Sequence, residues 1–150
     1  MFKCNLIAIA TLTLSLFSLM ADATQGIRIK VTAGEQTMIA TFEDNDTTRE
    51  IISRLPLTLP MQDLYSREMC YRFPDALPAN ETKTSGYEVG DIVYWAPRHS
   101  FVIMYKQNGE KISHLQKIGK INSGVDIFQN TGDIDVKFEL DNTVIHKEKY

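Results

Sequence analysis

The residues best equipped for chemistry are gathered in one stretch, Gly90-Asp91-Ile92-Val93-Tyr94-Trp95-Ala96-Pro97-Arg98-His99-Ser100-Phe101-Val102-Ile103-Met104-Tyr105. It holds the only tryptophan and one of the three histidines. Trp95 lies in an apolar run that suits a core, yet beside Pro97 and His99 its indole also offers a wide apolar platform with one N–H donor. An imidazole can move a proton near neutral pH, but His99 stands in a turn, where solvation or capping is its ordinary role. His114 and His146 fall on other elements, so no histidine metal set forms. Arg67 and Glu68 are adjacent opposite charges, which usually make a surface pair. Met61 and Tyr65 share one parity of a strand-like run. Cys70, between Met69 and Tyr71, reads as a buried core thiol, with no helix N-terminus or adjacent histidine to favour a thiolate. No serine sits in a Gly-x-Ser-x-Gly elbow and no glycine-rich phosphate loop occurs, which excludes the common hydrolase and nucleotide-enzyme signatures.

The chain carries 16 Lys+Arg against 19 Asp+Glu, a net charge of −3. That sign, with no basic run beyond two residues, argues against a nucleic-acid partner. Lys3, the apolar run Leu6 to Met20 and the small-x-small site Ala21-Asp22-Ala23 have the layout of a secretory signal peptide. The run is shorter than the roughly 20 residues of a spanning helix. The expectation is a leader over residues 1–23, one domain over 24–150, and an exported protein, periplasmic or secreted, with no membrane segment after cleavage. Cys70 is then the one remaining cysteine, which leaves no internal disulfide.

The elements that must position these side chains are short. Ile27, Ile29 and Val31 alternate with polar residues, and Met38, Ala40 and Phe42 do so after the turn at Gly34, which predicts a hairpin. Thr47 and Glu50 have capping-box spacing and predict a short helix that Pro56 stops. Leu57, Leu59 and Met61 predict a strand that two prolines confine to a sheet edge or a bulge. Glu68–Phe73 is a further strand, and Pro74 to Gly86 a loop. Asn80-Glu81-Thr82 and Asn45-Asp46-Thr47 fit the glycosylation acceptor pattern. The central stretch predicts two strands joined by a proline turn. Asn108-Gly109 predicts a tight hairpin with both turn residues at positive φ. Leu115 to Ile121 predicts a strand broken at Gly119. Ser123 to Phe128 predicts a second short helix, Ile134 to Leu140 the last core strand, and Thr143–Ile145 an added edge strand. About eight short strands with two short helices suggest a mainly β domain, a closed barrel or a sandwich.

The order of hairpin, short helix, Leu55-Pro56-Leu57-Thr58-Leu59-Pro60-Met61-Gln62-Asp63-Leu64-Tyr65-Ser66-Arg67-Glu68, then Gly90-Asp91-Ile92-Val93-Tyr94-Trp95-Ala96-Pro97, then Gly119-Lys120-Ile121, resembles the small bacterial cyclophilin-like domains. The resemblance covers Gly26 to Leu140 and implies a closed cyclophilin-like β-barrel. Cyclophilins are prolyl isomerases. Their arginine hydrogen-bonds the prolyl nitrogen to lower a barrier of about 18–20 kcal/mol, beside an apolar pocket of Phe, Met, Trp and His, without metal or cofactor. Met61-Gln62 resembles the pocket Met-Gln pair, although Pro60 stands where a phenylalanine is expected. Trp95 and His99 with Phe101 resemble the Trp…His segment, one residue short. The Phe-His-Arg segment has no counterpart, and Arg67 is the nearest substitute for its arginine. The resemblance therefore implies a module that binds a peptide or small ligand in a cleft of Met61, Tyr65, Trp95, His99 and Phe101, without catalysis. The alternative is a weak isomerase using Arg67.

Overall fold

A computed structural model describes residues 26–142. The leader and the Thr143–Ile145 strand lie outside the described residues. The chain runs β1 (Ile27–Ala33), β2 (Gln36–Phe42), α1 (Asp46–Ser53), β3 (Leu57–Leu64), β4 (Glu68–Arg72), β5 (Lys83–Ser85), β6 (Asp91–Trp95), β7 (Ser100–Met104), β8 (Ile112–Ile121) and β9 (Ile134–Leu140). Two 3-10 segments, Ala96–Arg98 and Val125–Asn130, complete it. No helix among the described residues is long and apolar enough to cross a membrane.

The alternation in β1 and β2 forms the expected hairpin, paired from Ile27↔Phe42 to Ala33↔Gln36. Strands then neighbour one another in the order β2-β1-β9-β3-β4-β7-β6-β8, and β8 returns to β2 through Ala40↔Ile121, Thr41↔Lys120 and Phe42↔Gly119. This is a closed eight-stranded antiparallel barrel. Closure removes the exposed edges that a sheet of this size would otherwise present. β5 lies outside the ring, paired only to β8, within the segment expected to be a plain loop.

One set of alternating side chains fills the barrel. Ile29, Val31, Phe42, Met61, Met69, Ile92, Tyr94, Phe101, Ile103, Val136 and Phe138 are all buried there. Phe101 meets Phe138 edge-to-face at 5.2 Å and Phe73 at 6.3 Å, an arrangement that sets ring edges against ring faces. Tyr94 hydroxyl accepts the backbone N–H of Leu77 at 3.0 Å, which ties the 74–79 loop across one end.

Several local expectations are corrected. The helix cap is Asn45, not Thr47: Asn45 Oδ1 accepts from Thr48 N–H at 2.9 Å while its Nδ2 donates to Lys117 O at 2.9 Å. Thr47 lies inside the helix and its hydroxyl donates to Pro78 O at 2.5 Å. β3 is not an edge strand. β9 pairs with Leu57–Met61 and β4 with Gln62–Leu64, so Pro60 falls in the half with a single ladder partner, where a missing N–H is tolerated. Asn108-Gly109 closes no hairpin: β7 pairs with β4 and β6, not with β8, and seven residues separate β7 from β8. Gly119 does not end β8, but the expected irregularity is there: the β6–β8 register shifts at this point, Ile92 facing Gly119 and Val93 facing Lys117. A Cβ there would lie 2.3 Å from Thr41 O and 2.9 Å from Phe42 Cα, so glycine is what lets β2 close the ring. The Val125–Asn130 segment is a 3-10 helix entered from Gly124 at φ 91, with no side-chain cap.

Candidate ligand-binding site

The strands around Trp95 are apolar on both faces. In β6, Ile92 and Tyr94 point into the barrel, while Val93 and Trp95 belong to a second cluster. In β7, Phe101 and Ile103 point inward, and Val102 and Met104 join the second cluster with Cys70, Tyr87 and Leu115. A strand that is apolar on both sides needs cover on both sides. Here the outer cover is partial. It leaves a cavity of about 420 Å³ on the outside of β4, β7, β6 and β8. Leu64, Val93, Val102, Met104, Ile112 and Leu115 supply its apolar lining, and Trp95 its aromatic one.

Trp95 ends β6 and is half-buried, its Nε1–H donating to Ser113 O at 3.0 Å. That bond fixes the indole plane against β8. Tyr65 sits in the turn between β3 and β4 at φ 57 and is 74% exposed. Arg67 begins beneath it, its guanidinium 5.5 Å from the Tyr65 ring centroid and 5.9 Å from that of Tyr87. The guanidinium donates through Nη2 to Glu68 Oε2 at 3.2 Å and through Nη1 to Glu110. Its Nε–H is buried and makes no hydrogen bond among the described residues. Burial opposes the Arg67 charge, but Glu68 and Glu110 outweigh it and hold the guanidinium above its ordinary value. Burial raises the Glu68 carboxyl, and Arg67 offsets only part of this. Burial likewise pushes the Cys70 thiol up, away from a nucleophilic thiolate.

The segment between β7 and β8 forms one rim. Tyr87 hydroxyl donates to Asn108 Oδ1 at 2.9 Å, lies 3.1 Å from Lys106 O, and accepts from Asn108 N–H at 3.0 Å. Asn108-Gly109 thus folds back onto a tyrosine rather than making a strand turn, and in doing so delivers Glu110 to Arg67.

Three of the residues singled out by sequence, Tyr65, Arg67 and Trp95, line this cavity together. Met61 and Phe101 do not reach it. Both are 1% exposed inside the barrel, because their parity matches Leu59 and Ile103 on the inward face. His99 is also elsewhere. It occupies the left-handed region at φ 50 behind the 3-10 turn, and its carbonyl accepts from Phe73 N–H at 2.9 Å. Glu110, Arg72, Ile112 and Leu115 were not anticipated. The signal that points to them is the absence of polar residues at Val93, Val102 and Met104, which announces a second apolar layer. Among the described residues no group of three or more His, Cys, Asp or Glu side chains could hold a metal ion.

A closed antiparallel barrel with an apolar cavity on its outer wall defines a barrel-type domain rather than a sandwich. The family model described as the Cyclophilin-like family matches residues 31–139, and the chain belongs to that family. Its fold is shared by a hypothetical protein of Archaeoglobus fulgidus known from a solution structure. The two align with a TM-score of 0.63 and 17% identity, covering 77% of this chain and 95% of that one. A search of curated proteins finds no match.

Proposed function

We propose that this chain is an exported binding module that holds a peptide or small apolar ligand in the outer-wall cavity and does not transform it. The observation that carries this reading is the incompletely covered second apolar layer. Cys70, Val93, Val102, Met104 and Leu115 form a floor outside the core, beside the sole tryptophan. A concave apolar surface with a few fixed polar groups is what a ligand site requires. The absence of a Phe-His-Arg segment supports binding without catalysis, and the layout of residues 1–23 supports export. No cofactor enters the reading.

The test is NMR of the protein with an X-Pro model peptide. Binding moves the Trp95 indole N–H resonance and the amides of Arg67 and Leu115. Unchanged resonances at millimolar peptide would rule out proline peptides as the ligand. A second reading, weak prolyl isomerisation, is favoured by the buried, unpaired Arg67 Nε–H at the cavity wall. It requires faster cis/trans exchange at catalytic protein levels, abolished by Arg67→Ala in a protein that stays folded. Retained exchange in that variant removes Arg67 from the role.

A further inference from the structure

The pairing registers lay the floor of the outer-wall cavity out in cross-sheet rows. Arg72 faces Ser100, Ser100 faces Trp95, and Trp95 faces Leu115 in one row. Cys70, Val102 and Val93 form the next, and Glu68 and Met104 the third. Four residues of β4 separate Glu68 from Arg72, roughly 13 Å at about 3.3 Å per residue. An apolar middle row therefore runs between two charged ends.

The charge is met differently at the two ends. At the Glu68 end, Arg67 pairs with both Glu68 and Glu110. That bridge ties the β3–β4 turn to the segment after β7, carries Tyr65 stacked on its guanidinium, and walls this end of the cavity. At the other end Arg72 is exposed, and no carboxylate lies within 4.0 Å of its guanidinium among the described residues. Asp133 and Asp135 share the neighbouring groove with Arg72 without pairing to it. The Arg72 guanidinium reaches the Cys70 thiol, which sets its charge over the apolar floor and not out in solvent. The other donors of its row are already used: Ser100 Oγ–H donates to Arg98 O at 3.2 Å and the Trp95 indole N–H to Ser113 O at 3.0 Å. Arg72 is thus the one charged group on the cavity wall that no opposite charge holds among the described residues.

We propose that the cavity takes a small apolar carboxylic acid, its carboxylate on Arg72 and its body lying across Cys70, Val102 and Val93 toward the Arg67–Glu110 bridge. This rests on the binding reading above and adds the ligand's class. A planar guanidinium with free N–H groups meets a carboxylate in a two-bond fork. The reversed orientation would set the carboxylate against Glu68 and Glu110. The volume of about 420 Å³ falls at the small end of the roughly 300–1,000 Å³ of small-molecule sites. The bridge also leaves a longer chain no exit at the far end, which favours a free acid over the carboxyl terminus of a peptide.

The test uses the full chain and four probes: octanoate, octanamide, octylamine, and an apolar tripeptide with a free carboxyl terminus. Fluorescence of Trp95, the only tryptophan, and the amide shifts of Cys70 and Val102 read the cavity. Octanoate is expected to bind about fivefold tighter than octanamide at low salt, the gap narrowing as salt is raised. Arg72→Gln, at an exposed position, brings octanoate down to the level of octanamide, and Arg72→Lys keeps part of the gap. Equal binding of octanoate and octanamide overturns the inference and leaves the binding reading standing, and so does a gap that survives Arg72→Gln. Octylamine binding as tightly as octanoate overturns it in favour of the Glu68 end. A tripeptide that outcompetes octanoate overturns it in favour of a peptide terminus. No response at Trp95, Cys70 or Val102 to any probe removes the cavity reading and the inference together.

Discussion

Arg67 and Glu68, adjacent in sequence, form an ion pair at 3.2 Å on the outer wall of the barrel, with side chains 12% and 9% exposed. The pair is nearly dry, and its two members respond to that differently. The guanidinium keeps its charge with help from Glu110, while burial leaves the Glu68 carboxyl raised. The folded protein therefore binds the Glu68 proton at higher pH than the unfolded chain does. Stability from this group is fully present below the unfolded carboxylate range and is lost as pH rises through the folded value. Wild type should gain stability relative to Glu68→Gln as pH is lowered from neutral through that window. Urea midpoints of both proteins across pH 4 to 7 would show it, and parallel curves would contradict the assignment.

Tyr105 is 3% exposed, and its hydroxyl donates to Asp63 Oδ1 at 2.5 Å. Burial, together with that bond, pushes the phenol up to about 12. Its stabilisation is complete below the ordinary tyrosine range and disappears as pH rises through the folded value. Absorbance titration should find one tyrosine ionising near the top of the range, absent in Tyr105→Phe. That variant should lose about 1–3 kcal/mol at neutral pH, because the acceptor is a carboxylate.

Two glycines separate crowding from backbone strain. Gly119→Ala drives a methyl into the backbone of Thr41 and Phe42 at the ring closure, where neither can retreat. It should cost about 3 kcal/mol or more. Gly109→Ala meets nothing within 4 Å, but its φ of +79 disfavours any side chain. That change should cost only about 1 kcal/mol. Denaturant unfolding of the two variants orders them, and the reverse order would refute the close approach of β2 to β8.

Asn45→Ala removes both the cap on Thr48 N–H and the donor to Lys117 O, and should cost about 2 kcal/mol. Thr47→Ser keeps a hydroxyl for Pro78 O and should cost less than 1 kcal/mol. If Thr47 were the cap, an alanine there would reproduce the helix loss seen by circular dichroism in Asn45→Ala. Comparing the two alanine variants by far-ultraviolet dichroism decides between them.

The barrel was legible wherever one face is wet. β1, β2 and β9 alternate cleanly, and their observed bounds lie within a residue or so of the pattern. It was less legible where strands are covered twice. Parity alone could not say whether Trp95 or Phe101 faces the core, because every residue from Ile92 to Trp95 and from Phe101 to Met104 is apolar. Choosing a cleft by residue type therefore mixed Met61 and Phe101 from the inside with Tyr65 and Trp95 from the outside. The cap was missed because Asn45 and Thr47 both suit the role, and only tertiary packing, Lys117 O against Asn45, separates them. Asn108-Gly109 has turn chemistry, but the competing partner of Asn108 is the Tyr87 hydroxyl, 21 residues away in the chain. A local motif carries no information about such a partner.

β9 is inserted between β1 and β3, pairing Ile29 with Leu140 and Leu57 with Phe138. A ribosome releases the chain from its amino end, so both neighbours emerge long before the strand that joins them. Until Ile134–Leu140 is free, β1 and β3 each present an open hydrogen-bonding edge, the kind of surface that recruits other chains. The domain is thus most vulnerable to aggregation during its own synthesis, and a truncation before Ile134 should yield a sticky, open sheet instead of a smaller barrel.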